Sequence, residues 1–262
     1  MKNYWRAKTL LLGATTVLLF IVFFFALPFN AHAETNNERW DQISWLNAGL
    51  VIGTTIILYN NDQAIQRFFV ENRKTTTDSI SGIVKPFGDP VYLIPTLLII
   101  YIASKRNPND NIRQVAELGL ESIILTDTAT GLLKLATHRH RPYTGSDFNH
   151  WDGPNLNLSN DRLSFPSLHA ANAFALATVV SSVYHDNKFV APIAYSLASL
   201  TALSRIHDND HWASDVFFGA VLGYYTAKII IGRHLHPAVE PKYTIIPRIS
   251  GQTQELLLSV RF

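Results

Sequence analysis

The feature that most limits what this chain can build is a set of six apolar stretches rich in Ala and Leu. They lie near residues 44–60, 91–104, 114–136, 169–184, 190–206 and 214–232. Their length and composition predict helices rather than strands. Polar connections separate them: one over 70–90, with Thr75, Thr76, Thr77 and Pro86, and one over 142–166, rich in Asn, Asp, Gly and Pro. The expected fold class is all-α, a bundle of about six helices. Towards the C-terminus, Tyr243 to Ile249 and Glu255 to Phe262 favour β structure on either side of Ser250-Gly251-Gln252. That predicts a small hairpin, the alternative being a flexible tail.

With 262 residues the chain can bury one sizeable core. Apolar residues make up 47% and charged residues 16%, which allows either a membrane setting or a large helical core. The mean hydropathy of +0.09 is low for a chain made mostly of spanning helices. A net charge of +2 gives no global field that would select a nucleic-acid partner. There is no Cys, which excludes disulfides, thiolate metal sites and Cys nucleophiles.

Lys2, Arg6 and Lys8 precede an uncharged apolar run from Thr9 to Leu27, broken by Pro28 and followed by Ala31-His32-Ala33. This order predicts a secretory signal over 1–33, the alternative being a retained membrane anchor. The helical domain then covers 34–236 and the tail 237–262. Either way the chain is expected in the cell envelope. The 114–136 stretch carries Glu117, Glu121, Asp127 and Lys134, each costly in lipid. That favours a periplasmic bundle touching the membrane. In the alternative, 10–27 spans, 44–60 lies on the outer surface and five later spans follow. Lys105, Arg106, Arg113, Lys188 and Arg233 would then sit inside, as the positive-inside rule asks.

Three polar clusters interrupt this apolar pattern. In the third, His211 and Asp215 are four apart and share a face if a helix starts near them. Such an Asp can accept the Nδ1 proton and leave Nε2 free as a directed nucleophile or base. Arg205 ends the preceding helix and offers a planar fork of donors suited to phosphate. In the second cluster, Pro166-Ser167 precedes an Ala-rich run, so Ser167 is a natural N-cap. The amides of Leu168, His169 and Ala170 would open an anion site there, with His169 facing it. In the first, Lys134 and Arg141 are seven apart, about two helical turns, ahead of Pro142. Each cluster alone also has a structural explanation, as a helix cap or a solvated cation.

Taken in order, Lys134 with Arg141-Pro142, Pro166-Ser167-x-His169, and Ser204-Arg205 with His211 and Asp215 resemble the three-part signature of the PAP2 family. These are type 2 phosphatidic acid phosphatases, related to class A acid phosphatases and vanadium haloperoxidases. The resemblance covers roughly 114–232. It implies that His211 attacks phosphorus to form a phosphohistidine, Asp215 orients it, and His169 protonates the leaving alkoxide and then activates water. It implies that Lys134, Arg141, Arg205, Ser167 and the Leu168 amide bind phosphoryl oxygens, with no cofactor and no metal. The implied substrate is phosphorylated and lipid-linked, or a soluble monoester. Leu168 stands where the family usually has Gly, a change that bears on pocket size. The other readings are a vanadate-dependent haloperoxidase and a non-catalytic anion-binding envelope protein.

Overall fold

The computed structural model describes residues 45–104, 110–235, 243–250 and 253–260. The expected leader over 1–33 and the boundaries drawn at 33/34 and 236/237 lie outside these residues.

Seven α-helices form among the described residues: α1 Trp45–Glu71, α2 Thr75–Val84, α3 Pro90–Ala103, α4 Asn111–Thr137, α5 Leu168–Val183, α6 Val190–His207 and α7 Ala213–Leu235. The all-α expectation holds, and six helices correspond to the apolar stretches, with α1 running on to Glu71. The seventh, α2, occupies the expected connection at 70–90. Its start is held by side chain–backbone bonds: the Lys74 amide donates to Thr77 Oγ1 at 3.0 Å, and Thr77 Oγ1 donates to the Lys74 carbonyl at 2.7 Å. Ser81 and Val84 are buried where α2 packs on α6. This ten-residue helix, rich in Thr and Ser with only Ile80, Ile83 and Val84 as large apolar residues, offers no long apolar stretch to read. Strands β1 Tyr243–Ser250 and β2 Thr253–Val260 pair antiparallel, Tyr243 opposite Val260.

Helix α5 lies at the centre, packed against α7, α6 and α4. Its alanines at 170, 173 and 177 join Phe174, Tyr195, Ile206, Phe217 and Tyr224 in the main core. Close approach of α7 depends on two glycines. A Cβ at Gly219 would stand 2.4 Å from the Ser167 carbonyl oxygen, and one at Gly223 would stand 1.8 Å from that of Ala171. The absent side chains therefore seat α7 directly on the first turns of α5. That contact brings the His169 turn beside the loop preceding α7.

Helix α3 opens with Asp89 as N-cap, accepting from the Val91 amide at 3.0 Å, and Pro90 at the first position. Helix α4 closes at His138 in the left-handed conformation, φ 41°. Arg139 to Arg141 therefore leave the helix as extended chain, and Arg139 pairs with Trp151 in an isolated antiparallel bridge. The interval between Lys134 and Arg141 is thus a helix end plus an extended segment, not two helical turns.

Among the described residues, Ala213–His234 is long and apolar enough to cross a membrane, and 72% of that window is buried inside the bundle.

Candidate active site

The end of α4, the start of α5, the end of α6 and the loop before α7 bring the three sequence clusters together. His211 sits in that loop with 2% of its surface exposed. Its Nδ1 is 2.7 Å from the carbonyl oxygen of Ser164. A carbonyl only accepts, so Nδ1 carries the proton and Nε2 is unprotonated, an acceptor for Arg141. That Nε2 lies 3.4 Å from Nη1 of Arg141.

The expected acceptor for the Nδ1 proton was Asp215, and the structure gives that proton a different one. Asp215 Oδ2 is 3.9 Å from Nδ1. It accepts instead from Ser164 Oγ at 2.6 Å and from the Trp212 amide at 3.0 Å, while Oδ1 accepts from Arg139 at 2.5 Å. Asp215 therefore holds the residue whose carbonyl holds the ring. The Trp212 bond closes the carboxylate back on the residue just before α7, as one half of a capping box.

The electrostatics keep His211 neutral. Burial and then the charge of Arg141 push it well below its ordinary value of 6.5, against the pull of Asp215. His169, in the first turn of α5, is lowered to about 4 by burial and by Arg205, with Asp89 opposing from 3.6 Å. Lys134 is lowered to about 7 by burial and then by Arg141, and its Nζ donates to the Leu163 carbonyl. Arg141 thus depresses Lys134 and both imidazoles, which places these groups within one field. Its own hydrogen bonds go to uncharged partners: the Asn160 carbonyl at 2.8 Å, Asn160 Oδ1 at 2.9 Å and the Asp210 carbonyl at 3.3 Å.

Ser167 takes the N-cap position of α5, but its hydroxyl makes no capping bond. The first helical bond runs from the Ala171 amide to the Ser167 carbonyl at 3.1 Å. The amides of Leu168, His169 and Ala170 therefore precede it at the positive end of the helix. Leu168 is the first residue of α5, so its backbone is helical despite the larger side chain. Arg205 is buried at 3% exposure, with Nη2 on Asp210 and Nη1 3.4 Å from Asp208. Ser167 Oγ, His169 Nε2 and Arg205 Nε are buried and have no hydrogen-bond partner among the described residues. Buried polar atoms are ordinarily satisfied, so these three are open to a polar partner, with Asp89 Oδ2 3.6 Å from His169 Nε2.

Sequence reasoning missed the support behind this cluster. Arg139 is fully buried, donating to Asp215, to Ser214 Oγ at 2.8 Å and to Asp62 Oδ2 at 2.7 Å. The rings of Trp151, Tyr59 and Trp212 surround its guanidinium at 4.8, 5.1 and 5.5 Å. Asp62, from α1, accepts from the Ser214 amide at 2.9 Å. The one hint was an acidic residue at the end of an apolar stretch. Ser164, in the 142–166 connection, carried no signal at all.

The PAP2 superfamily model matches residues 118–235. Over 67 residues the chain is 42% identical to a lipid A 1-phosphatase of Porphyromonas gingivalis, a match covering 25% of this chain and 15% of that relative. The matched segment is thus a small part of that relative's length. Among solved structures, LpxE of Aquifex aeolicus superposes with a TM-score of 0.48 at 22% identity, covering 65% of this chain and 94% of that one. A transmembrane PAP2-type phosphatidylglycerolphosphate phosphatase of Bacillus subtilis superposes with a TM-score of 0.49 at 19% identity, covering 70% of this chain and 92% of that one. The matched region contains Lys134, Arg141, His169, Arg205, His211 and Asp215, the residues gathered in the buried cluster. This chain is thus similar to the PAP2 superfamily through residues 118–235, a little under half of its length.

Proposed function

We propose that this chain is a metal-independent phosphatase of the cell envelope that hydrolyses lipid-linked phosphates through a phosphohistidine. The observation that carries this reading is the set of buried atoms without a hydrogen-bond partner on Ser167, His169 and Arg205, beside an imidazole whose Nε2 is kept unprotonated by the bond from Nδ1 to the Ser164 carbonyl. Lys134, Arg141 and Arg205 supply the positive field that a phosphoryl transition state requires.

In the proposed reaction, His211 Nε2 attacks phosphorus. A P–N bond forms as the P–O bond to the leaving alcohol breaks. His169 gives its proton to the departing oxygen. In the second half, His169 takes a proton from water, whose oxygen attacks phosphorus and releases His211 and phosphate. In the ligand-free site His169 is neutral down to about pH 4. A bound phosphate offsets the Arg205 and Arg141 charges that depress it, so the substrate raises the acid it needs.

An apolar groove of about 300 Å³ supports a hydrocarbon-bearing leaving group. It runs between α5 and α6, lined by Phe87, Ala173, Ala177, Val180, Ile193 and Leu197. Ala173 lies one helical turn beyond His169. Phe87 adjoins Gly88, where a Cβ would meet the His169 carbonyl oxygen at 2.2 Å. The groove therefore lies about one helical turn from the backbone of the proposed proton donor. Outward-facing Val91, Ile99, Ile124, Leu132 and Ile193 are exposed on α3, α4 and α6, in keeping with a bundle whose sides meet lipid.

The test is phosphate release from a panel of lipid and soluble esters with EDTA present, in wild type and in His211→Ala. Turnover of lipid phosphates in EDTA, lost in the variant while the helical circular dichroism is kept, is the expected result. Unchanged turnover in the variant refutes the nucleophile. Vanadate should inhibit; halide oxidation with vanadate would instead indicate the haloperoxidase chemistry.

A further inference from the structure

The antiparallel bridge at Arg139 and Trp151 has two faces. Side chains alternate across an extended strand. Arg139 and Trp151 point inward and stack together behind Asp215. The residues next to them, His140, His150 and Asp152, lie together on the other side. Backbone bonds fix this register: the His140 amide donates to the His150 carbonyl at 3.0 Å, and the Asp152 amide donates to the His138 carbonyl at 3.1 Å.

On that outer face the two imidazoles stack with centroids 3.8 Å apart and planes 4° from parallel. Both present Nε2 to one carboxylate. His140 Nε2 lies 3.0 Å from Asp152 Oδ2, and His150 Nε2 lies 3.5 Å from Asp152 Oδ1. Ligand atoms of the three residues fall within 4.8 Å of one another. The proposed phosphatase reaction uses none of the three.

We propose that His140, His150 and Asp152 bind one late first-row divalent cation, Zn²⁺ being the reference case. Two imidazoles and a carboxylate match its ligand preferences. Ligand bonds of about 2.0–2.2 Å require the three donors to close in slightly. His150 is half exposed and Asp152 a quarter exposed, so both can rotate to do so. His140 is held in place: Ser146 Oγ stands 3.3 Å from its Nδ1 and can accept that proton once Nε2 carries a metal. Three protein ligands leave the remaining position to water.

One local group opposes the cation. Arg162 Nη1 lies 3.1 Å from Asp152 Oδ2, with 41% of its side chain exposed. It must swing aside, and its removal should strengthen binding. The consequence of binding is mechanical. The cation clamps the chain ahead of Arg141 to the chain around Trp151, on the outer face of the bridge whose inner face holds Arg139 against Asp215. His140 is tied to the site itself, since its carbonyl accepts from Trp212 Nε1 at 2.8 Å.

The experiment is calorimetric titration of Zn²⁺ into untagged, full-length, EDTA-stripped protein, paired with thermal melts. Wild type is expected to bind one equivalent and melt higher with the metal. His150→Ala and Asp152→Asn should each weaken that binding by about tenfold or more, and Arg162→Gln should tighten it. Absence of one-equivalent binding in wild type overturns the proposal, and so does equal affinity in wild type and both ligand variants. Affinity unchanged or weakened in Arg162→Gln removes Asp152 from the ligand set and overturns the site as drawn. The readout is binding rather than turnover, so the result is independent of the phosphatase reading, and phosphate release should persist in His150→Ala.

Discussion

Arg139 Nη1 stands 2.5 Å from Asp215 Oδ1, and neither side chain reaches solvent. The other end of the same guanidinium holds Asp62, 2.7 Å away and equally buried. One cation therefore bridges two carboxyl groups that would otherwise repel each other in the protein interior, where burial raises Asp62 to about 6. Removing one partner of a buried pair leaves a charge with neither water nor counter-ion, a loss of about 3–5 kcal/mol. Arg139→Ala is thus expected to lower the melting temperature sharply, and adding Asp62→Asn should recover part of the loss. Thermal melts of the single and double variants check this.

Asp215 acts on His211 through Ser164 in this geometry. Where a carboxylate takes the imidazole proton directly, its conversion to the amide costs about 10⁴-fold in turnover. Here a backbone carbonyl keeps the tautomer. Asp215→Asn should therefore lower kcat by only about 10–10²-fold, well short of the direct case. Steady-state kinetics on a soluble ester measure the difference. A loss on the larger scale would mean that the carboxylate, not the carbonyl, governs the ring.

His169 gives a pH prediction with a definite sign. Its pKa is lowered to about 4 in the free site by burial and by Arg205. The protonated form, needed as acid, is therefore lost as pH rises through about 4 in free enzyme. Bound phosphate counters Arg205 and Arg141 and moves the value upward. The basic limb of kcat, which reports the complex, should lie at higher pH than that of kcat/KM, which reports free enzyme. Profiles of both parameters on one substrate test this, and coincident limbs would count against His169 as donor.

The groove beside His169 separates the two substrate classes. Val180, partly exposed, lines it away from the cationic cluster. Val180→Phe should fill part of it and raise KM for a long-chain lipid phosphate by at least about tenfold, equivalent to about 1.4 kcal/mol. KM for a small chromogenic ester should not change. Equal effects on both would show that the groove is not where the leaving group's chain resides.

Six of the seven helices were legible because each carries an apolar stretch whose length and Ala and Leu content read as helix, as Leu168–Val183 and Ala213–Leu235 do. Thr75–Val84 was not, since its stability comes from local Thr77 bonds and from burial of Ser81 and Val84. The polar clusters were legible for a chemical reason. Cations and imidazoles set among apolar segments are costly unless they serve a site, and the spacing of Lys134, Arg141, His169, Arg205, His211 and Asp215 resembles a known signature.

The sequence by itself determined the helical class, the family resemblance and the six polar residues gathered at the site, Lys134, Arg141, His169, Arg205, His211 and Asp215. Only the tertiary structure decided which oxygen takes the His211 proton, and that Arg139 bridges Asp62 and Asp215. Those outcomes depend on distances of a few tenths of an ångström between residues as far apart as Asp62 and Ser214. Hydrogen bonds weaken steeply over such distances. No local pattern encodes them, because they are set where α7 seats against α5 at Gly219 and Gly223 and where α4 ends at His138.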